Sequence, residues 1–279
     1  MNEVHLSTKN LSYTYPDGTH ALKKVNMEII KGQKVAIMGP NGAGKSTLFS
    51  HFNGLTEPTS GHLEIDGERM KYDKKTLLEV RQKVGIVFQD PNDQLFAPTV
   101  KEDVAFGPMN LGLSYEEVEK RVNEALKLVD MEEFKDKTPH HLSGGQQKRV
   151  AIAGIIAMRP EIMILDEPTA GLDPEGVEKV LTILNNLNKD GMSIVISSHD
   201  IEMVNGFAEK IFVLNKGEII ASGDKHEIFS DKELLKEAHL KAPITTEILY
   251  QLKENGFDVD TTKINVNEVV DEIIKMKKS

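Results

Sequence analysis

The stretch Gly39-Pro40-Asn41-Gly42-Ala43-Gly44-Lys45-Ser46 constrains this chain more than any other. Two glycines separated by four residues, then a lysine and a hydroxyl residue, satisfy the phosphate-loop pattern. An apolar run, Val35-Ala36-Ile37-Met38, precedes it and Thr47-Leu48-Phe49 follows, so the expected context is strand, loop, helix. There the glycines let successive backbone N–H groups turn inward around a β-phosphate, at a helix start carrying about half a positive charge. Lys45 is expected to reach the β- and γ-phosphates and Ser46 to ligate magnesium. The stretch through Thr47 therefore predicts a bound nucleoside triphosphate.

Composition bounds the rest. A chain of 279 residues, 39% hydrophobic and 28% charged, suits one large domain or one domain plus an appendage. Its apolar runs, such as that around Val150 to Met158, fall far short of the ~18 residues a membrane span needs. The segment Met1 to Leu6 has neither a basic region nor an apolar signal core, so a cytoplasmic location is expected. Without cysteine there are no disulfides, no thiolate chemistry and no zinc sites built on sulfur. A formal net charge of −10 argues against nucleic acid as the main partner.

Residues 4 to 30 read as antiparallel strands around a Pro16-Asp17-Gly18 turn, with Val4, Leu6, Leu11 and Tyr13, then Val25, Met27 and Ile29, at period two. Tyr15 either stacks on the nucleotide base or packs in the sheet, a role that suits Tyr13 better. His62 to Ile65 reads as a strand closed by Asp66-Gly67, Thr76 to Lys83 as a helix, and Val84 to Phe88 as a strand ended by Gln89. Regular structure should stop over Asp90 to Pro98. Helical signals then run from Val100 to Met158, with a capping box at Ser114-Tyr115-Glu116-Glu117 and apolar residues Val118, Val122, Ala125, Leu126 and Val129. The adjacent His140 and His141 invite a metal reading, but neighbours on one backbone rarely converge. Leu142-Ser143-Gly144-Gly145-Gln146, leading into a helix over Gln147 to Met158, makes a second exposed helix start, either an anion-binding surface or an ordinary cap.

Pro160 to Glu167 is a buried-strand run ending in two carboxylates, where a doubly wound sheet places its ligand crevice. Asp166 suits a magnesium-associated role and Glu167 suits polarising water, unless the two merely cap the next segment through Asp173-Pro174. A helix is expected over Glu175 to Leu187, and a strand over Ser193 to Ser197. His199, just beyond, either contacts the γ-phosphate or is structural. A hairpin turns at Asn215-Lys216-Gly217. Past Pro243, two amphipathic helices follow: Ile244, Ile248, Leu249 and Leu252 before Gly256, then Val266, Val269, Val270, Ile273 and Ile274 with lysines in the last turn. Such stripes need a cover, either the main domain or a second copy, and pairing is the favoured expectation.

The phosphate loop, Gln89, Leu142 to Gln146, Asp166-Glu167, Asp173 and His199, in this order, resemble the motif set of an ATP-binding cassette (ABC) ATPase over about residues 4 to 240. A narrower similarity lies in Phe88 to Val100, Glu102 to Pro108 and Pro139-His140-His141, which look like the ATPases of energy-coupling factor importers, above all the cobalt-importing members. The resemblance implies an α/β P-loop NTPase fold with a mixed central sheet, an antiparallel β layer and a helical subdomain inserted at about 91–160. That domain would span 1–240, and 241–279 would be a dimerising helical extension. The implied cofactors are ATP and Mg²⁺, with Ser46, Gln89 and Asp166 at the metal and Tyr15 on the adenine. Glu167, His199 and Lys45 would act in catalysis, and Ser143, Gly145, Gln146 and Asp173 would bind nucleotide, the signature at Ser143 capping the ATP of a second ATPase subunit, a homodimer mate or a paralogue. His140 and His141 become a family feature. The segment Gln94 to Gly107 would receive a cytoplasmic helix of a transmembrane coupling subunit, beside a substrate-capture subunit, placing the chain peripherally at the cytoplasmic membrane face. The ATPase would never touch the solute: cobalt or nickel, or alternatively a vitamin. Soluble ABC ATPases fit less well, since the interval of about 95 residues between loop and signature has no sustained heptads and only one phosphate loop is present.

Overall fold

The computed structural model describes residues 3–276. In chain order the strands are β1 (Val4–Thr14), β2 (His20–Ile30), β3 (Lys34–Met38), β4 (Ser60–Ile65), β5 (Glu68–Arg69), β6 (Val84–Val87), β7 (Ile162–Leu165), β8 (Ser193–Ser198), β9 (Lys210–Asn215) and β10 (Glu218–Gly223). The helices are α1 (Lys45–Phe52), α2 (Lys74–Lys83), α3 (Val100–Asn110), α4 (Tyr115–Leu128), α5 (Gly144–Ile156), α6 (Pro174–Lys189), α7 (Ile201–Phe207), α8 (Lys225–Phe229), α9 (Lys232–Glu237), α10 (Ile244–Glu254) and α11 (Val266–Met276).

A six-stranded sheet in the order β10-β9-β3-β8-β7-β6 forms the centre, parallel except for β10. Strands β6, β7 and β8 are buried at every residue, as parallel strands covered on both faces must be, which is why β7 reads as an unbroken apolar run and β8 carries Ile194-Val195-Ile196 between its serines. The four-stranded sheet β2-β1-β4-β5 is antiparallel. The expected mixed sheet with an antiparallel layer is thus what forms. Strand β3 divides two cores: Val35 and Ile37 face α1 and the antiparallel sheet, while Ala36 and Met38 face the α3–α6 side.

Three local readings need correction. The alternation along β1 changes phase between Leu6 and Leu11, because the pairing with β2 slips between Thr8 and Leu11, where Asn10 adopts a left-handed φ of 49°. At α4 the capping box is half formed. Ser114 Oγ accepts the Glu117 N–H at 3.3 Å, but the Glu117 carboxylate turns to Arg121 Nε at 2.7 Å rather than back to the cap. The helix at the signature begins earlier than expected, at Gly144, because Ser143 caps it. The hairpin at Asn215-Lys216-Gly217 forms with φ 48° at Lys216 and 82° at Gly217, the pattern of a primed two-residue turn.

A buried polar joint ties the two sheets. His5 Nδ1 lies 2.8 Å from Ser193 Oγ, which accepts the Gly32 N–H at 2.9 Å, so the serine hydrogen goes to Nδ1 and Nε2–H faces Glu161 Oε2 at 3.3 Å. Asp66 stands 4.0 Å from the same Nε2. These three groups have metal-ligand spacing, but Lys83 at 2.6 Å and Lys31 at 3.2 Å already balance Asp66. Burial opposes ionisation of Asp66, yet these two ammonium groups outweigh it and hold its carboxyl below the usual range.

The carboxyl-terminal helices fold back on the main domain through the segment between them. Ile264 is fully buried in the main core, its carbonyl accepts from Asn205 Nδ2 at 3.2 Å, and the Tyr250 hydroxyl donates to the Ser230 carbonyl. Leu249, Val259 and Val269 form a small core of their own. Ile244, Ile248, Val266, Val270, Ile273 and Ile274 remain exposed. Of the lysines expected in the last turn, Lys275 is placed, and Lys277 and Lys278 lie outside the described residues. Since Ile264 anchors this extension, Ile264→Ala should cost about 2–5 kcal/mol in denaturant unfolding and open the 241–276 region to protease first. Unchanged protection of that region would show the anchor to be elsewhere.

Candidate active site

The phosphate loop is held by close backbone approach. A Cβ on Gly39 would lie 2.0 Å from the Leu214 carbonyl oxygen of β9, and one on Gly44 2.8 Å from that of Ala21, so neither tolerates a side chain. Ala43 is buried and its N–H turns back to the Pro40 carbonyl at 3.1 Å. No acceptor among the described residues takes the N–H groups of Gly42, Gly44, Lys45, Ser46 or Thr47. They form a cradle of free donors at the start of α1, suited to phosphate oxygens. Lys45 Nζ donates to the carbonyls of Gly39 at 2.8 Å and Pro40 at 3.2 Å. Burial pushes its pKa down while Glu167 and Asp166 pull the other way.

A cavity of about 630 Å³ opens here, walled by Asn41, Gly42, Gly44, Lys45, Ser46, Thr47, Tyr15, Gln89, Asp166, Glu167 and His199. Residues from five separate stretches expected at the nucleotide thus share one space. Tyr15 is 41% exposed at its rim, its hydroxyl 2.8 Å from Thr47 Oγ1 and its ring edge-on to Tyr13 at 5.0 Å. Tyr13 itself packs on the core. Gly39 and Pro40 take part through their carbonyls rather than as walls.

Asp166 and Glu167 follow the last residue of β7 and are buried at 8% and 6% exposure, unusual for carboxylates. Glu167 adopts φ 45°, the left-handed region. The Ser197 hydroxyl donates to Asp166 Oδ1 and accepts the Glu167 N–H at 2.8 Å. His199 Nδ1 sits 3.0 and 3.1 Å from the two Glu167 carboxylate oxygens, with its own side chain 65% exposed toward the cavity mouth. The acids therefore do more than cap the next segment.

Lys148 was not legible as a site residue. It lies on α5, fully buried, and donates to the carbonyls of Phe88 at 3.1 Å and Gln89 at 2.6 Å. Burial lowers its pKa, opposed by Asp166, Asp90 and Glu167. In sequence the Lys148-Arg149 pair reads as a solvated helix face. Ser197 was likewise hidden inside an apolar strand.

The structure does not bring Ser143, Gly145, Gln146 or Asp173 to the cavity. Ser143 caps α5 in a reciprocal box with Gln146, at 2.9 and 3.4 Å. Asp173 caps α6 by accepting the Gly176 N–H at 2.8 Å. His140 and His141 lie exposed in one tight turn.

The ABC transporter family model matches residues 22–170, from within β2 to just beyond the acidic pair. The energy-coupling factor transporter ATP-binding protein EcfA of Methanothermobacter thermautotrophicus is 55% identical over 271 residues, 97% of this chain and 87% of that protein. The chain belongs to the ABC transporter ATPases, in the energy-coupling factor group. Among solved structures, CbiO1 of Clostridium perfringens, part of the ABC transporter complex cbiONQ, superposes with a TM-score of 0.77 at 44% identity, covering 90% of this chain and 99% of that one. A dimeric ATP-binding cassette in a post-hydrolysis state with ADP and Pi gives 0.72 at 38% identity, covering 79% of this chain and 98% of that one. The chain is an ATPase of this family.

Because the Gly39 site leaves no space beside Leu214, Gly39→Ala should displace the loop from β9 and abolish tight ATP binding. Equilibrium titration with a fluorescent ATP analogue reads this directly, and wild-type affinity would contradict the geometry.

Proposed function

We propose that this chain is the ATP-hydrolysing subunit of an importer of the energy-coupling factor type, working as a pair with a second copy or a paralogue. One observation carries the reading. Lys45, Gln89, Asp166, Glu167 and His199 line one cavity, whereas the signature residues Ser143 and Gly145 of the same chain lie outside it. A second chain facing the first supplies what each cavity lacks. The Ser46 hydroxyl, the Gln89 amide oxygen and the Asp166 carboxylate are hard oxygen donors on that cavity, a set that fits magnesium. Bound Mg-ATP supplies the phosphoanhydride bond that is cleaved.

The chain's own groups then act as follows. Glu167 orients a water and takes its proton as the oxygen attacks. His199, whose Nδ1 is engaged by Glu167, presents its other nitrogen to the γ-phosphoryl side. Lys45 leaves its carbonyl partners for phosphate oxygens, and Ser143 and Gly145 of the second copy complete the charge balance. Tyr15 stacks on the adenine, and Asp173 sits at the facing surface with Gln146. The exposed stripe of α10 and α11 supports pairing outside the ATP sites, with 1–240 as the ATPase domain and 241–279 as the dimerising extension.

Phe96, Phe106 and Met109 are 62%, 49% and 64% exposed, and the two phenyl rings meet edge to face at 4.7 Å. Asp103 fixes this turn by accepting the N–H groups of Phe96 and Ala97, each at 2.8 Å, while Gln94 joins it to the Phe88 N–H at 3.2 Å. This apolar spot beside Gln89 is the proposed seat for a cytoplasmic helix of the coupling subunit, which in turn carries the substrate-capture subunit. Attachment through these subunits is peripheral, at the cytoplasmic face; no described helix is long and apolar enough to cross a membrane. The motif resemblance in Phe88 to Val100 and Pro139-His140-His141 supports cobalt, or nickel, as the solute.

Glu167→Gln should bind ATP, accumulate as a nucleotide-dependent dimer on size exclusion, and lose about 10²–10⁴-fold in turnover. Near-normal hydrolysis would remove Glu167 from this role. Phe106→Asp should leave ATP binding by the isolated chain intact while abolishing co-purification with membrane subunits and cobalt uptake in cells. Recovery of the wild-type chain with ribosomes or DNA-repair proteins alone would sink the importer reading.

A further inference from the structure

We propose that Ser197 is a positioning residue for ATP hydrolysis, its one hydroxyl fixing both the Asp166 carboxylate and the Glu167 backbone. Strand β8 lies between β3 and β7, and every residue of it is buried. Ser197 has no exposed surface at all. A hydroxyl in that setting must find partners, and here both come from the segment that leaves the neighbouring strand. The directions are fixed by chemistry. The Glu167 N–H can only donate, so Oγ accepts it at 2.8 Å, and the Asp166 carboxylate accepts the single hydroxyl hydrogen.

Two consequences follow for the site. Asp166 has Oδ1 engaged, while Oδ2 accepts no hydrogen bond from the described residues, so the acid offers one defined oxygen to the cavity it lines. Glu167 holds φ 45°, a region that side chains other than glycine occupy rarely and keep only where surroundings over-determine it. The hydrogen bond from Ser197 lands on this same residue, and from this backbone its carboxylate reaches His199 Nδ1. The other serines of β8 serve elsewhere. Ser193 bonds His5 and Gly32, and Ser198 accepts the Asp200 N–H at 3.0 Å. Ser197 alone on this strand joins the two acids.

The inference rests on the roles proposed above for Asp166 and Glu167. Ser197→Val and Ser197→Thr have the same shape and differ in the hydroxyl, and they are compared in the full chain, with Glu167→Gln alongside. Ser197→Val should lower kcat about 10–100-fold with little change in KM, and weaken binding of a fluorescent ATP analogue with magnesium but not without it. Ser197→Thr should regain most of both. Melting temperatures separate mispositioning from unfolding, and Ser197→Ala gives a smaller hydroxyl-free side chain should valine prevent folding. Equal losses in Ser197→Val and Ser197→Thr would reduce Ser197 to packing and overturn the proposal. So would wild-type kcat and magnesium-dependent affinity in Ser197→Val while Glu167→Gln is inactive, with the base assignment left standing. Full turnover by Glu167→Gln would instead remove that assignment, and this proposal with it.

Discussion

The arrangement depends on the in-register parallel pairing of three central strands. Met38 of β3 lies level with Ser198 of β8, and Ile196 of β8 with Leu165 of β7. Parallel strands end in the same direction, so whatever follows each carboxyl end meets at one sheet edge. The phosphate loop follows β3, Asp166 and Glu167 follow β7, and His199 follows β8. Residues up to 160 positions apart in sequence are thereby brought together by backbone pairing alone, before any side chain makes a specific contact. A one-residue slip between β7 and β8 would move Ser197 out of level with the acids and reverse which side chains face each core.

Charge in the cavity is arranged in the same way. Two buried carboxylates at the end of one strand would repel each other and lose hydration, yet two buried ammonium groups stand near both. Lys45 approaches from the phosphate loop and Lys148 from α5. Each amine is also held by a pair of carbonyls, Gly39 and Pro40 for one, Phe88 and Gln89 for the other. The site is thus close to neutral without nucleotide, and hydrogen bonds satisfy each buried charge. On the proposed function, binding a polyphosphate withdraws Lys45 toward it. Lys148 then remains as the fixed cation beside the acids.

Much of this was legible in the sequence because it rests on local signals. The glycines of the loop, the buried run into Asp166-Glu167 and the turn at Lys216-Gly217 are each written in adjacent residues. The positions of most strands and helices followed from period and length. What sequence did not reveal depends on contacts between distant segments. Ser197 looks like a polar interruption of an apolar strand, and only the level of the neighbouring strand gives it a task. Lys148 looks solvated, and only the packing of α5 against the Gln89 turn buries it. The phase change at Asn10 needs the slip in its pairing with β2, and the Ser114 box is only half formed because Arg121, one helical turn further on, competes for the Glu117 carboxylate.

The helix α5 joins the two surfaces that a paired ATPase must coordinate. Its N-cap Ser143 is exposed and faces away from the chain's own cavity, while Lys148, little more than one turn inside, grips the carbonyls on either side of the Gln89 turn. Gln94 then runs from the Phe88 N–H to the Ala151 carbonyl on the same helix, 3.2 and 3.5 Å away. The cavity wall at Gln89, the exposed Phe96–Phe106 pair and the signature end are consequently fastened to one rigid element rather than to separate loops. Helices shift as units because their hydrogen-bonded interiors do not stretch, and the packed faces beside them have few alternative arrangements. On the proposed function, a displacement of Gln89 by nucleotide is carried by α5 to Ser143 and to the apolar spot together, which makes closure on a second chain and movement at a membrane partner mechanically one event.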